Sequence, residues 1–181
     1  MVVVHSFGGE VSKDRIILAP APRGVFGEGV LTGAAAYPGQ CVVIKPGQTA
    51  RNSDGRFNVE PAGFSAAGAG LVDAMTADGD KILVRVLIED ALQGRVIGTQ
   101  HAIGDHVRFY TPVNGEELNV MFQNQSGTAD DLGIGTELII DDGTGKVYKT
   151  TGTPQSKPFE CLEVVTDPTA DQLITVAFRG N

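Results

Sequence analysis

The apolar positions of this chain recur mostly at every second residue. Between Lys81 and Glu89, residues Ile82, Val84, Val86 and Ile88 share one side of an extended chain, while Leu83 and Leu87 flank Arg85 on the other. That spacing predicts a strand buried on one face and largely on the second. After Gly104-Asp105, Val107 and Phe109 alternate with His106, Arg108 and Tyr110, as in a sheet with one wetter face. The turn Pro112-Val113-Asn114-Gly115 follows, and beyond it Leu118, Val120 and Phe122 alternate with Asn119, Met121 and Gln123. Leu138-Ile139-Ile140, Asp142-Gly143-Thr144-Gly145 and Val147-Tyr148 spell another hairpin. Residues 159–165 and 173–178 supply the last two strands, separated by Thr166-Asp167-Pro168-Thr169.

Upstream, the turn Tyr37-Pro38-Gly39-Gln40 delivers the chain into Cys41-Val42-Val43-Ile44-Lys45 and out through Pro46-Gly47. The pattern weakens from Gln48 to Asp80, where the one helical expectation is a turn or two near Leu71 to Met75. No fixed-period repeat is visible. Short strands with tight connections predict an all-β chain, a compact β-barrel or β-sandwich over residues 40–181.

Residues 1–39 read differently. Two apolar bursts, Val2-Val3-Val4 and Ile16-Ile17-Leu18, stand in a segment punctuated by Gly8-Gly9 and Pro20-Ala21-Pro22. Prolines remove ladder donors and bias their neighbours toward extended conformations, so the expectation is an extended N-terminal arm. Val2, Val3, Val4, Ile16, Ile17 and Leu18 are then candidate contacts with a neighbouring subunit or the surface of a larger assembly, added as a strand. The competing expectation is that they add edge strands to their own domain. Deleting residues 1–30 separates the two, since an arm is dispensable for folding.

Composition bounds the function. The 181 residues are 41% hydrophobic, enough for a real core, and the 24 glycines and 9 prolines suit turns better than helices. With 14 basic against 22 acidic residues the net charge is −8, which argues against nucleic-acid binding, because phosphate neutralisation needs Lys and Arg. No apolar run reaches the length of a membrane helix, and Met1-Val2-Val3-Val4-His5 has no secretory pattern, so synthesis in the cytoplasm is expected. Cys41 and Cys161 lie in separate apolar runs and read as buried thiols, with a disulfide left open.

Candidate chemistry is sparse. His101 and His106 are five apart across a predicted turn, a poor zinc spacing, and His5 is isolated. Gly143-Thr144-Gly145-Lys146 resembles the end of a phosphate loop, but Val147 stands where a Ser or Thr is required. The acidic pairs Asp130-Asp131, Asp141-Asp142 and Asp78 with Asp80 follow no calcium-loop pattern. Neither cysteine has a neighbouring histidine, and no serine sits in a nucleophile elbow. The expectation is a protein without catalytic residues, metal or cofactor.

Three segments carry a resemblance. Glu89-Asp90-Ala91-Leu92-Gln93-Gly94-Arg95, then Ile103-Gly104-Asp105-His106-Val107-Arg108-Phe109-Tyr110-Thr111-Pro112, then Gly115-Glu116-Glu117-Leu118-Asn119 occur in that order. The order resembles the head decoration, or capsid cement, proteins of tailed bacteriophages, in which an E-D-A-L-Q-G-K variant precedes G-D-x-V-x-x-Y-x-P and P-G-D-E-L. Asn114 and Glu116 replace that family's second proline and its aspartate. The likeness continues through Gly133-Ile134-Gly135-Thr136-Glu137-Leu138, the hairpin at Asp142-Gly143, and Glu163-Val164-Val165, covering roughly residues 80 to 181. It implies an accessory virion protein on the capsid exterior, bridging subunits of the major capsid protein, as a homotrimer, with no reaction. The alternative class is a receptor- or glycan-binding β-module displayed on a virion, which the absence of Trp and the 6% aromatic content disfavour.

Overall fold

The computed structural model describes residues 13, 15–18, 21–45, 51–62, 84–90, 96–124, 131–141, 144–149, 157–166, 168 and 170–180. The chain is all-β, as the alternation predicts, with ten strands among the described residues: β1 (Val25–Leu31), β2 (Cys41–Ile44), β3 (Phe57–Pro61), β4 (Arg85–Ile88), β5 (His106–Thr111), β6 (Glu117–Phe122), β7 (Glu137–Ile140), β8 (Val147–Lys149), β9 (Phe159–Cys161) and β10 (Gln172–Phe178). They form two closed barrels rather than a sandwich, in the orders β1-β3-β2-β4-β5 and β6-β8-β7-β9-β10. Closure leaves no continuous free sheet edge along either ring. The helical turn expected near Leu71 to Met75 lies outside the described residues.

The two orders are the same order. In each barrel the first and third strands are parallel, and every other pairing is antiparallel. The match extends to single hydrogen bonds. Gly39 N donates to Leu87 O and Leu87 N to Gln40 O; Gly135 N donates to Cys161 O and Cys161 N to Thr136 O. Gly39 (φ 91) and Gly135 (φ 87) both hold the left-handed backbone that this entry turn demands. The bridges Ala36–His101 and Leu132–Val165 occupy matching places between the same strands of their barrels. Thr32 N to Val59 O and Gln123 N to Val147 O close the two parallel pairs.

These matches align the interiors. Leu31, Ala36, Val42, Val59, Leu87, Val107 and Phe109 fill the first barrel, and Phe122, Leu132, Leu138, Val147, Cys161, Ile174 and Val176 take the corresponding places in the second. One pair is exchanged in size. Gly27 faces Phe109 across β1 and β5, and a Cβ on Gly27 would lie 2.2 Å from the Phe109 ring. At the matching place Leu118 faces the smaller Val176. Each barrel thus fills its end with one large side chain, contributed from opposite strands.

A second apolar layer joins the barrels. Cys41, Val43, Ala62, Val84, Val86, Ile88 and Tyr110 belong to one core with the interior of the second barrel and with Ile16. Since Val42, Leu87 and Phe109 face inward, β2 and β4 are apolar on both faces, and β5 joins the second layer at Tyr110 while its outward His106 is exposed and Arg108 half-buried. Backbone bonds stitch the same junction: Cys41 N to Gly145 O (2.6 Å) and Met121 N to Gly39 O (2.9 Å).

The expected boundary between an arm at 1–39 and a domain at 40–181 is not where the structure divides. β1 closes the first barrel, and Ile16–Leu18 pairs with β6, because apolar residues beside an unpaired strand stretch gain both burial and backbone partners there. The alternation also assigned Tyr110 to a wetter face, yet it is fully buried, because that face meets the second barrel.

Two outcomes are expected from this architecture. Removing residues 1–30 takes away Ile16 and nearly all of β1, so the truncated chain should lose its cooperative urea transition. Gly27→Leu alone should overpack the first barrel and cost about 1–3 kcal/mol in urea denaturation. Adding Phe109→Val, which restores the Leu118–Val176 arrangement, should recover part of that loss.

Candidate functional site

The six candidate contact residues fall into two groups. Val2, Val3 and Val4 lie outside the described residues. Ile16 is buried between the barrels, and Ile17 and Leu18 are half-buried. The three run antiparallel to β6: Leu18 N donates to Glu117 O (3.2 Å), Asn119 N to Ile16 O (2.8 Å), and Ile17 bridges Leu118. Asn119 Nδ2 adds a bond to Arg15 O at 2.6 Å, and its Oδ1 accepts from Thr175, which explains how an asparagine is fully buried here. Lys13 then reaches Glu163 (2.5 Å) and Thr175 (3.0 Å).

Between the barrels the linker from β5 to β6 folds back on itself around one carboxylate. Glu116 is buried and accepts from Arg23 N (2.6 Å), Val113 N (2.9 Å) and Tyr110 Oη (2.8 Å). Gly24 N in turn donates to Tyr110 Oη at 2.6 Å. Burial alone would push the Glu116 carboxyl up, but the combined donors Val113, Arg23 and Tyr110 outweigh it and hold the group below the usual carboxylate range. Tyr110 is pushed up to about 12 by burial and by its bond to Glu116. The tyrosine therefore remains a donor, and the pair clamps Arg23, β5 and β6 together. Position alone gave Glu116 no role beyond a turn; its three donors come from residues distant in sequence as well as near.

A polar pocket of about 110 Å³ opens on the outer face of the first barrel, lined by Glu28, Gly29, Arg56, Asp90, His106, Val107 and Arg108. Arg56 donates to His106 Nδ1 at 3.0 Å. Asp90 is 3% exposed, and its Oδ1 is buried without a hydrogen-bond partner among the described residues. Two guanidinium groups, an imidazole and two carboxylates make a site for a polar ligand or a chain segment bearing both donors and acceptors.

The other candidates resolve into structure. His101 is buried at the Ala36 bridge whereas His106 is exposed, and among the described residues no cluster of three His, Cys, Asp or Glu side chains fits a metal ion. Thr144 Oγ1 donates to Asp141 (2.7 Å) and Lys146 pairs with Asp171 (2.5 Å), so the phosphate-loop look-alike is a hairpin turn whose Gly145 carbonyl serves the barrel junction. Cys41 and Cys161 are free and buried, and burial pushes both thiols up, which suppresses the reactive thiolate.

No family model and no curated protein matches this chain. Among solved structures, the chain is similar to the N base of head fiber gp8.5 of bacteriophage phi29. The two share 12% sequence identity with a TM-score of 0.48, over 86% of this chain and 94% of that one.

The clamp has a measurable acid signature. Because Glu116 titrates lower in the folded state than in the unfolded chain, its contribution is complete above the unfolded carboxylate range and is lost as pH falls through its folded value. Glu116→Gln should cost about 1.5–3 kcal/mol at neutral pH, the scale of a hydrogen bond to a charged group. The variant's disadvantage in urea denaturation should then shrink steadily on acidification below about pH 4.

Proposed function

We propose that this protein is a structural component of a phage head, binding its outer surface and stabilising the capsid lattice by bridging subunits of the major capsid protein. The observation that carries the reading is the run from Ile103 to Asn119, whose spelling matches the decoration-protein pattern and whose Tyr110 and Glu116 build the clamp between the barrels. The tyrosine of that pattern and the acidic residue at the place of its aspartate thus have a physical task. They hold two barrels in one orientation, and a rigid two-barrel body presents two faces to a lattice at fixed separation.

The mechanism is linkage. A protein that binds only the assembled lattice stabilises it by about 2.7 kcal/mol per site when present at 100 times its dissociation constant. Engaging two capsid subunits at once adds avidity through effective concentration. No reaction, metal or cofactor enters this reading, and the acidic surface charge of −8 is compatible with a solvent-facing position. A homotrimer at threefold lattice positions is the assembly the decoration-protein resemblance implies.

The test is co-sedimentation of the purified protein with empty heads before and after expansion. Saturable binding to expanded heads, together with a higher rupture temperature, is the expected outcome. Equal, non-saturable binding to both forms, or none to either, would remove the proposal.

A further inference from the structure

The repeat leaves one place filled in the second barrel and open in the first. Aligning Leu31 with Phe122, which face Val59 and Val147 in matching registers, sets Phe26 opposite Glu117 and Glu28 opposite Asn119. On β6 the side turned away from β10 is taken: Glu117 O accepts from Leu18, Asn119 N donates to Ile16, and Met121 N to Gly39. On β1 the pairing with β3 begins only at Gly29, and among the described residues no strand pairs ahead of it on that side. Leu31 N donates to Asp105 O of the β5 side, so by the two-residue period the backbone groups of Phe26 and Glu28 point away from β5, toward this open edge. Val25 and Phe26, at 68% and 46% exposed, mark its start. Glu28 leads into the polar pocket, where Asp90 Oδ1 is buried without a hydrogen-bond partner among the described residues.

We infer that this short stretch ahead of Gly29, the part of β1 that barrel closure leaves unpaired among the described residues, receives residues Val2-Val3-Val4-His5 of a second copy as an added strand, with the pocket taking the polar end. An edge stretch with exposed apolar side chains favours strand addition, where backbone bonds give affinity and alternate side chains give specificity. The chain already closes the matching edge of its second barrel with an extended apolar triplet, Ile16-Ile17-Leu18. Val2-Val3-Val4 is its other N-terminal triplet of this kind, and His5 adds a ring N–H donor suited to Asp90. The donor is assigned to a second copy because Ile16 runs along β6 and Lys13 anchors on Glu163 and Thr175, so the last described residues before the triplet are fixed on the second barrel rather than at the edge of β1. Exchanged reciprocally, such a contact closes a twofold dimer; passed in one direction, it builds a ring or an open chain. The inference is independent of what the assembled protein decorates.

Cross-linking tests it. Val3→Cys and Phe26→Cys are placed in two differently tagged full-length chains, which are mixed under oxidising conditions; the native thiols are buried and do not interfere. The expected result is a disulfide between the two tags. Glu28→Cys replaces Phe26→Cys should the latter lose its urea transition. In sedimentation velocity, removing residues 1–12 should abolish association of the wild-type chain, and Asp90→Ala should weaken it tenfold or more. A disulfide formed only when both cysteines share one chain would assign the edge to the chain's own start and overturn the inference. So would a cross-link of the Phe26→Cys protein solely to the major capsid protein on heads, or no cross-link with unchanged sedimentation.

Discussion

Two strands of the first barrel, β2 and β4, have no solvated face, β5 adds Tyr110 to the same covered layer, and the rest of the molecule follows from that. A five-stranded barrel normally buries alternate residues inside and leaves the others to water. In β2, β4 and β5 the outward positions Cys41, Val43, Val86, Ile88 and Tyr110 are apolar or aromatic, and their solvent is the second barrel. The first barrel cannot stand alone without exposing that layer. The second barrel supplies the cover, Ile16 fills the seam, and the Tyr110–Glu116 clamp fixes the angle at which the cover closes.

The outward faces of the two barrels differ in character at matching positions. Where the first barrel has Cys41 and Val86, the second has Glu137 and Glu160, paired with Lys157 and Arg179. Charges at the places that make the junction give the second barrel a wet outer face there.

Much of this was legible in the alternation. The strands from Arg85 to Ile88 and from His106 to Phe122, and the turn at Gly39, stand where the pattern places them, because period-2 burial and glycine's freedom are local signals. The duplication was not, for two physical reasons. The loops between matched strands differ in length, most of all between the third and fourth strands, so no fixed period survives. One core pair is also exchanged rather than copied, Gly27 with Phe109 against Leu118 with Val176, so the large side chain changes strand and the identity of both positions is lost. Tyr110 and Asn119 were misplaced for a different reason: each lies on an outward face that a non-neighbouring element covers, and periodicity carries no information about that element. Of the candidate contacts, Ile16 through Leu18 were visible as apolar, but the edge that receives them belongs to β6, a hundred residues downstream in rough terms, and only tertiary pairing reveals it.

The exchanged pair also bears on how the chain avoids folding wrongly. Two barrels of identical strand order in one polypeptide invite misassembly, with β1 inserted where β6 belongs or the reverse, a recognised hazard of tandem similar units. Such hybrids are mismatched in volume. Leu118 set against Phe109 would crowd one end of the ring, and Gly27 set against Val176 would leave it hollow. The same substitution that conceals the duplication from a reader of the sequence thus separates the two halves during folding, so that each strand is selected by its own ring.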